Sequence, residues 1–178
     1  ALSGAQLGSL TTEQVAGLTT AQLRAIETRD IASLTTDQLT SIDDGDMVAL
    51  TTSQVVALSG AQVASLTEDQ LDGLTSVQLR AIEVADIGSL TTDQVVTLDS
   101  AQLSYLTTSQ VAGMNSDQLS AIDAGEIVGL TTAAVEALSG AQLGSLTTEQ
   151  VAGLTTAQLR AIETRDIASL TTDQLTSI

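Results

Sequence analysis

The strongest constraint on the fold is a period of eight residues that runs through the whole chain. From residue 1, the 178 residues divide into 22 complete octads and two further residues, with no insertion or deletion. We number the octads 1 to 22 and the positions within each octad 1 to 8. Position 2 is always Leu, Ile or Met, position 7 is always Leu, Val, Ile or Met, and position 6 is Gln in 16 of the 22 octads. Such a period is typical of a repeat protein whose units stack on their neighbours.

The octad pattern fits a short helix that restarts in every octad. In one continuous α-helix the apolar pair would rotate by about 80° per octad, and in a strand positions 2 and 7 would face opposite sides. In octad 2, Thr11 can serve as an N-cap, Gln14 can complete a capping box, and Leu10 and Val15 can form a hydrophobic staple. The same offsets recur along the chain, so each octad predicts one helical turn.

These offsets predict the interior and the caps by residue number. We expect an aliphatic core that includes Leu10, Val15, Leu18, Leu23, Leu90, Val95, Leu106 and Val111. We expect capping boxes that include Thr11, Gln14, Thr19, Gln22, Thr91 and Gln94. A single helical turn is unstable alone, so stacking must supply the remaining stability. The predicted fold is an all-α solenoid, or superhelix, of one-turn helices, one per octad, around an aliphatic interior.

Longer-range repetition predicts the domain organisation. Residues 137–178 repeat residues 1–42 unchanged, at an offset of 136 residues. We therefore expect a single continuous array over residues 1–178 that belongs to a longer chain. Acid-rich octads begin at residues 25, 41, 81, 121 and 161; the last four are five octads apart, and the step from 25 to 41 is two octads. If they share one side of the superhelix, one turn would hold about 2.5 octads.

Composition excludes several classes of function. The chain has no Cys, His, Lys, Pro, Phe or Trp, and Tyr105 is its one aromatic residue. Disulfides, imidazole catalysis and aromatic base stacking are therefore excluded. A net charge of −17 repels phosphate backbones, so we expect no nucleic-acid partner. Apolar residues never run for the roughly 20 positions of a membrane span. We expect no enzyme activity and no membrane span.

Acidic residues give the only candidate metal site. Asp43, Asp44 and Asp46, together with Asp123 and Glu126, could ligate Ca²⁺ through carboxylate oxygens. The favoured alternative is that they are N-cap and first-turn acids, because their spacing does not match an EF-hand loop. We therefore predict no cofactor, with Ca²⁺ as the weaker possibility.

The few arginines predict ion pairs rather than catalysis. Arg29 stands between Glu27 and Asp30, which we interpret as a solvated surface cluster because no catalytic partner accompanies it. We expect i,i+3 ion pairs of Arg24 with Glu27, Arg80 with Glu83, and Arg160 with Glu163.

Stretches such as SLTTEQVAGLTTAQLRAI and SLTTDQVV resemble the Leu-Thr-Thr-x-Gln-Val-x-Ala arrays of very long secreted or surface proteins of Gram-negative bacteria, often described as adhesin-like or RTX-associated. The resemblance covers all 178 residues. It implies an extracellular location, a structural or adhesive role, and Sec-independent or type I export. The Gly-Gly-x-Gly-x-Asp nonapeptides of calcium-binding RTX segments are missing, which argues against calcium-driven folding.

Two classes of function follow from this reading. The leading one is a structural protein of an extracellular bacterial fibre, filament or stalk that self-associates end to end or laterally. The alternative is a solenoid scaffold that binds a protein or glycan. A fibre predicts near-identical contacts along its length, whereas a scaffold predicts variable surface residues on one side of a constant core.

Overall fold

The octad dictates one helix in every repeat. A computed structural model describes residues 3–178. Its residues fall into two compact units, residues 1–90 and 91–178, and each is described here by itself. All 22 octads contain one short helix, and no strand occurs among the described residues. The predicted all-α repeat solenoid is confirmed. The prediction of one continuous array remains a prediction.

In the first unit the α-helices are Gly4–Gly8, Thr12–Ala16, Thr20–Arg24, Thr28–Ile31, Thr36–Thr40, Thr52–Val56, Gly60–Ser65, Glu68–Asp72, Ser76–Ala81 and Val84–Ile87, with a 3₁₀-helix at Asp44–Ala49. In the second unit they are Thr92–Val96, Ser100–Tyr105, Thr108–Gly113, Ser116–Ala121, Thr132–Glu136, Gly140–Ser145, Thr148–Gly153, Thr156–Ala161, Thr164–Ile167 and Thr172–Thr176, with a 3₁₀-helix at Ile127–Gly129.

Every described helix except Ile127–Gly129 begins just after position 3, whose backbone is extended rather than helical. Thr91 is typical: its φ of −74° and ψ of 159° are extended, and its side chain accepts a hydrogen bond from the backbone N–H of Gln94. The Gln94 side chain in turn accepts from the N–H of Thr91, 2.8 Å away. An extended residue once per octad redirects the chain, which makes the path a coil rather than a rod-like helix.

The two 3₁₀-helices arise where acids and glycine replace the Thr and Gln of the octad. Asp43 Oδ1 accepts from the N–H of Gly45, and Asp123 Oδ1 accepts from the N–H of Gly125, each two residues on. At Asp44–Ala49 this cap on the second residue replaces the capping box, and the tighter helix follows directly. Ile127–Gly129 begins later in its octad, after Glu126, which makes no side-chain cap.

Within each unit, a helix packs against the helix three octads later. Thr12–Ala16 contacts Thr36–Thr40 in the first unit, and Thr132–Glu136 contacts Thr156–Ala161 in the second. Side chains at position 6 reach back 28 and 31 residues, to the junction between the third and fourth octads before their own. A turn therefore holds between three and four octads. The expectation of about 2.5 octads per turn is wrong, because the acidic octads serve a contact described below rather than a common side.

The interior consists of positions 2 and 7. Val95, Leu103, Val111, Leu119 and Ile127 at position 7 are fully buried, and Leu90 and Leu106 at position 2 are 5% and 4% exposed. Leu10 and Leu18 are only half-buried, although Val15 and Leu23 beside them are buried. Position 2 is covered by the turn before it, and no described turn precedes residues 10 and 18.

Candidate functional site: the seam between successive turns

The glutamine at position 6 is the residue that joins one turn to the next. In octad 7, Gln54 Oε1 accepts from the backbone N–H of Thr51 at 2.8 Å, which completes the capping box. Its Nε2 donates to the carbonyl oxygens of Leu23 and Ile26, both at 2.8 Å. Gln54 is 1% exposed. One neutral amide therefore fixes its own helix start and holds the preceding turn.

The same contact recurs along both units. In the first unit the position-6 amides of Gln38, Gln54, Gln62, Gln70 and Gln78 each donate to carbonyls of the preceding turn. In the second unit Gln142, Gln150, Gln158 and Gln174 do so. Each reaches the carbonyl of a position-2 residue, 28 residues earlier. These hydrogen bonds form a ladder that we call the glutamine seam.

The cap residues lie where the octad pattern places them. Thr11 and Thr19 accept from the N–H groups of Gln14 and Gln22, whose side chains return the capping-box bond. Thr91 and Gln94 form the equivalent box in the second unit. The cross-turn donation by glutamine was missed, although the sequence carries a signal for it. A capping box accepts Glu as readily as Gln, yet no octad with a capping Ser or Thr at position 3 has Glu at position 6.

In acidic octads a carboxylate takes over the cross-turn contact. Asp30 Oδ1 accepts from the backbone N–H of Gly4 at 3.0 Å, and Glu126 Oε2 accepts from that of Ser100 at 2.6 Å, each 26 residues earlier. A helix-start N–H is a favourable partner for a carboxylate. In these octads a carboxylate that accepts from a backbone N–H joins the two turns. It replaces the glutamine amide that donates to a backbone carbonyl in the other octads.

A glycine at this contact gives the two turns room. A Cβ on Gly60 would contact the side chain of Ser89, and a Cβ on Gly129 would overlap the backbone of Ser100. Gly4 with Ser33 and Gly140 with Ser169 repeat the first arrangement. Every pair thus consists of one Gly and one Ser. In the pair of Ser100 with Gly129 the glycine lies in the later octad, whereas in the other three pairs it lies in the earlier one. Gly stands at position 4 only in octads 1, 8 and 18, each three octads before an acidic octad.

The candidate Ca²⁺ ligands act on backbone groups. Asp43 and Asp123 cap the N–H groups of Gly45 and Gly125, and Glu126 holds the preceding turn. Asp44 and Asp46 lie in the first turn of their 3₁₀-helix. Among residues 3–178, no three His, Cys, Asp or Glu side chains lie together in a group that could hold a metal ion.

The arginine clusters form ion pairs at the surface. Arg29 lies 2.7 Å from Glu27, and Arg165 lies 2.7 Å from Glu163. The expected pair of Arg24 with Glu27 is wrong, because Arg24 Nε donates to the Ala49 carbonyl in the next turn, at 3.2 Å. Both paired arginines are more than three-quarters exposed, so these pairs contribute little stability.

One acid has a perturbed affinity for protons. The backbone N–H of Glu13 and the Thr11 hydroxyl lower the pKa of the Glu13 carboxyl, because both stabilise its charged form at the start of a helix. Glu13 is fully exposed, and its position beside a cap explains the shift without a catalytic role.

No described helix is long and apolar enough to cross a membrane. Comparison with curated proteins found no match. The sequence model of the ALTTAQ repeat matches residues 23–59, 40–76, 79–116 and 119–156, which together are more than half of the chain. The last two matches begin 40 residues apart, the five-octad spacing of the acidic octads. The chain is a tandem array of octads joined by the glutamine seam, and the family model matches most of its length. It therefore belongs to the ALTTAQ repeat family.

Proposed function

We propose that this chain is a structural element of an extracellular bacterial fibre, filament or stalk. One observation carries the proposal: within each unit the same glutamine contact between turns recurs at multiples of eight residues, mostly through buried side chains. Gln54, Gln70 and Gln150 are each 1% exposed. The repeated unit thus places a buried polar side chain at the joint between turns, as expected for a protein whose length and stiffness are its function.

The chemistry of the outer surface supports the same role. The chain offers trypsin-like proteases five Arg and no Lys, and chymotrypsin-like proteases one aromatic residue. It has no thiol to oxidise. Such a composition suits a protein exposed to proteases and oxidants outside the cell. The resemblance to repeat arrays of secreted and surface proteins points in the same direction.

The acidic surface sets how such fibres would interact. With a net charge of −17, neighbouring fibres repel one another at low ionic strength. Added salt shortens the range of that repulsion, and divalent cations can bridge carboxylates on different fibres. We therefore expect lateral bundling to depend on the concentrations of salt and divalent cations. The glutamine seam joins neutral groups, so we expect it not to depend on them.

Immunogold electron microscopy of producing cells tests the proposal. Antibodies raised against the 178-residue chain should place gold particles along thin filaments or stalks outside the cell, with preimmune serum as the control. Gold confined to the cytoplasm, or bound to discrete monodisperse particles, would contradict the structural role. Discrete extracellular particles would favour the alternative, a solenoid that binds a protein or glycan.

A further inference from the structure

Octad 17 is the one octad without a polar side chain at position 6. Over the whole sequence, position 6 is Gln in 16 octads, Asp or Glu in five, and Ala134 in octad 17. The Thr131 side chain still caps the helix Thr132–Glu136, because it accepts from the backbone N–H of Ala134 at 3.1 Å. Octad 17 therefore keeps its helix start but has no side chain at position 6 to join it to the preceding turn.

A glutamine at position 134 would bind three backbone groups. By the pattern of Gln54, these are the N–H of Thr131 and the carbonyls of Leu103 and Leu106, 31 and 28 residues earlier. Among residues 3–178, the N–H of Thr131 and the carbonyl of Leu106 have no hydrogen-bond partner, and the Leu103 carbonyl accepts from the N–H of Leu106 at 3.3 Å. Leu103 is fully buried and Leu106 is 4% exposed. Buried backbone groups in native proteins are paired with protein atoms or with bound water.

The joints on either side hold the two turns at their normal spacing. In the octad before, Glu126 Oε2 accepts from the N–H of Ser100 at 2.6 Å. In the octad after, Gln142 Nε2 donates to the carbonyl of Met114 at 2.8 Å. Thr131 has the extended backbone of the other caps, with φ −67° and ψ 152°. The turns are therefore expected to keep the room that a glutamine side chain takes in other octads.

A groove leads from solvent to this joint. Its volume is about 550 Å³, and its lining includes Thr108, two residues after Leu106, and Ala133, the neighbour of Ala134. Thr131 and Ala133 are themselves exposed. Small molecules therefore have a short path from solvent to the backbone groups around Ala134.

We propose that octad 17 is a binding site for a small molecule that accepts one hydrogen bond and donates two. Water has this capacity and is the natural occupant: its oxygen accepts from the N–H of Thr131, and its hydrogens donate to the carbonyls of Leu103 and Leu106. A free primary amide offers the same acceptor and donors. Acetamide is also the group by which glutamine exceeds alanine beyond Cβ, so it should displace the water and restore the contact between turns. The site goes beyond the proposed fibre role and does not depend on it.

NMR cross-relaxation between water and backbone amides of the ¹⁵N-labelled 178-residue chain tests the occupant. The N–H of Thr131 should show a direct Overhauser peak to water, distinguished by its sign from proton exchange. The N–H of Thr51, which donates to Gln54 Oε1, should show none. Ala134→Gln should remove the peak at Thr131, and Gln54→Ala should create one at Thr51. Absence of the peak at Thr131, or its persistence in Ala134→Gln, would overturn the proposal.

Thermal unfolding followed by circular dichroism tests the capacity for an amide. Ala134→Gln should raise the midpoint by about 2 to 4 °C, because it supplies the missing hydrogen bonds. Ala133→Gln adds the same side chain at the exposed neighbouring residue and should leave the midpoint close to that of the unaltered chain. Acetamide should narrow the gap between the unaltered chain and Ala134→Gln as its concentration rises, and Gln54→Ala should respond to acetamide in the same way.

Two thermal results would contradict the site. If Ala134→Gln is no more stable than Ala133→Gln, the turns have closed over the place of the glutamine. If acetamide shifts the midpoints of the unaltered chain and of Ala134→Gln equally, no amide binds there. Neither result bears on the extracellular location, which immunogold labelling tests separately.

Discussion

Replacing a seam glutamine by glutamate separates its two roles, and Gln54→Glu does so at a buried site. Glutamate keeps the oxygen that accepts from Thr51 but loses the amide that donates to two carbonyls, each 2.8 Å away. Two lost hydrogen bonds cost about 1 to 3 kcal/mol. A carboxylate buried without a partner against two carbonyls raises the expected loss to about 3 to 5 kcal/mol.

Gln22→Glu is the matched control, because Gln22 has the same capping box but its side chain is exposed. Its expected effect on the free energy of unfolding lies within about 0.5 kcal/mol. Urea unfolding at pH 7, followed by circular dichroism, compares the two variants with the unaltered chain. Equal unfolding midpoints for Gln54→Glu and Gln22→Glu would refute the role of the seam.

The penalty at residue 54 should also depend on pH. Burial raises the pKa of the introduced carboxyl above its unfolded value of about 4.3. The folded state then binds the proton more tightly, so the penalty is complete above the raised folded pKa and is relieved as pH falls towards the unfolded pKa. Repeating the unfolding measurement at lower pH should bring Gln54→Glu closer to the unaltered chain. A gap that widens would contradict the assigned burial.

Three further predictions test the remaining contacts. Gly60→Ala should destabilise the chain by about 1 to 3 kcal/mol through overpacking, and adding Ser89→Gly should restore stability; a double variant as unstable as the single one would contradict the pairing. Thr91→Ala should cost about 1 kcal/mol through loss of the cap, whereas Thr92→Ala should be close to neutral in the same thermal unfolding assay. Because the pKa of Glu13 is lowered, its contribution is present above the unfolded pKa and lost as pH falls through the folded pKa; NMR titration should give a lower pKa in the folded chain than in urea, and equal values would contradict its placement at the helix start.

The local structure could be predicted from the sequence because its causes lie within eight residues. An N-cap such as Thr91, the glutamine three residues later and the flanking aliphatic pair are all read from one octad. The 3₁₀-helix at Asp44–Ala49 differs because Asp43 caps the backbone N–H of Gly45, two residues later. The cause of this difference also lies within one octad.

The length of a turn could not be predicted from one octad, because it depends on residues that lie 26 to 31 positions apart. Two signals for that distance were nevertheless present. Capping boxes with Ser or Thr use Gln and never Glu, which indicates a buried donor, and each Gly at position 4 stands three octads before an acidic octad. The spacing of the acidic octads alone predicted a wrong turn length, because that prediction assumed that these octads lie on one side of the superhelix.

A cysteine pair in successive turns tests the packing of turns three to four octads apart most directly, and the chain has no native cysteine to interfere. A Cβ built on Gly60 lies 3.2 Å from the Cβ of Ser89, slightly closer than the roughly 3.5 to 4.5 Å between the Cβ atoms of a disulfide. A shift of the two turns by a few tenths of an ångström should therefore let Gly60→Cys with Ser89→Cys form a disulfide under mild oxidation. Gly60→Cys with Arg80→Cys, separated by two and a half octads, should stay reduced. Rapid closure of the second pair, with the first left open, would contradict the account of how the turns stack.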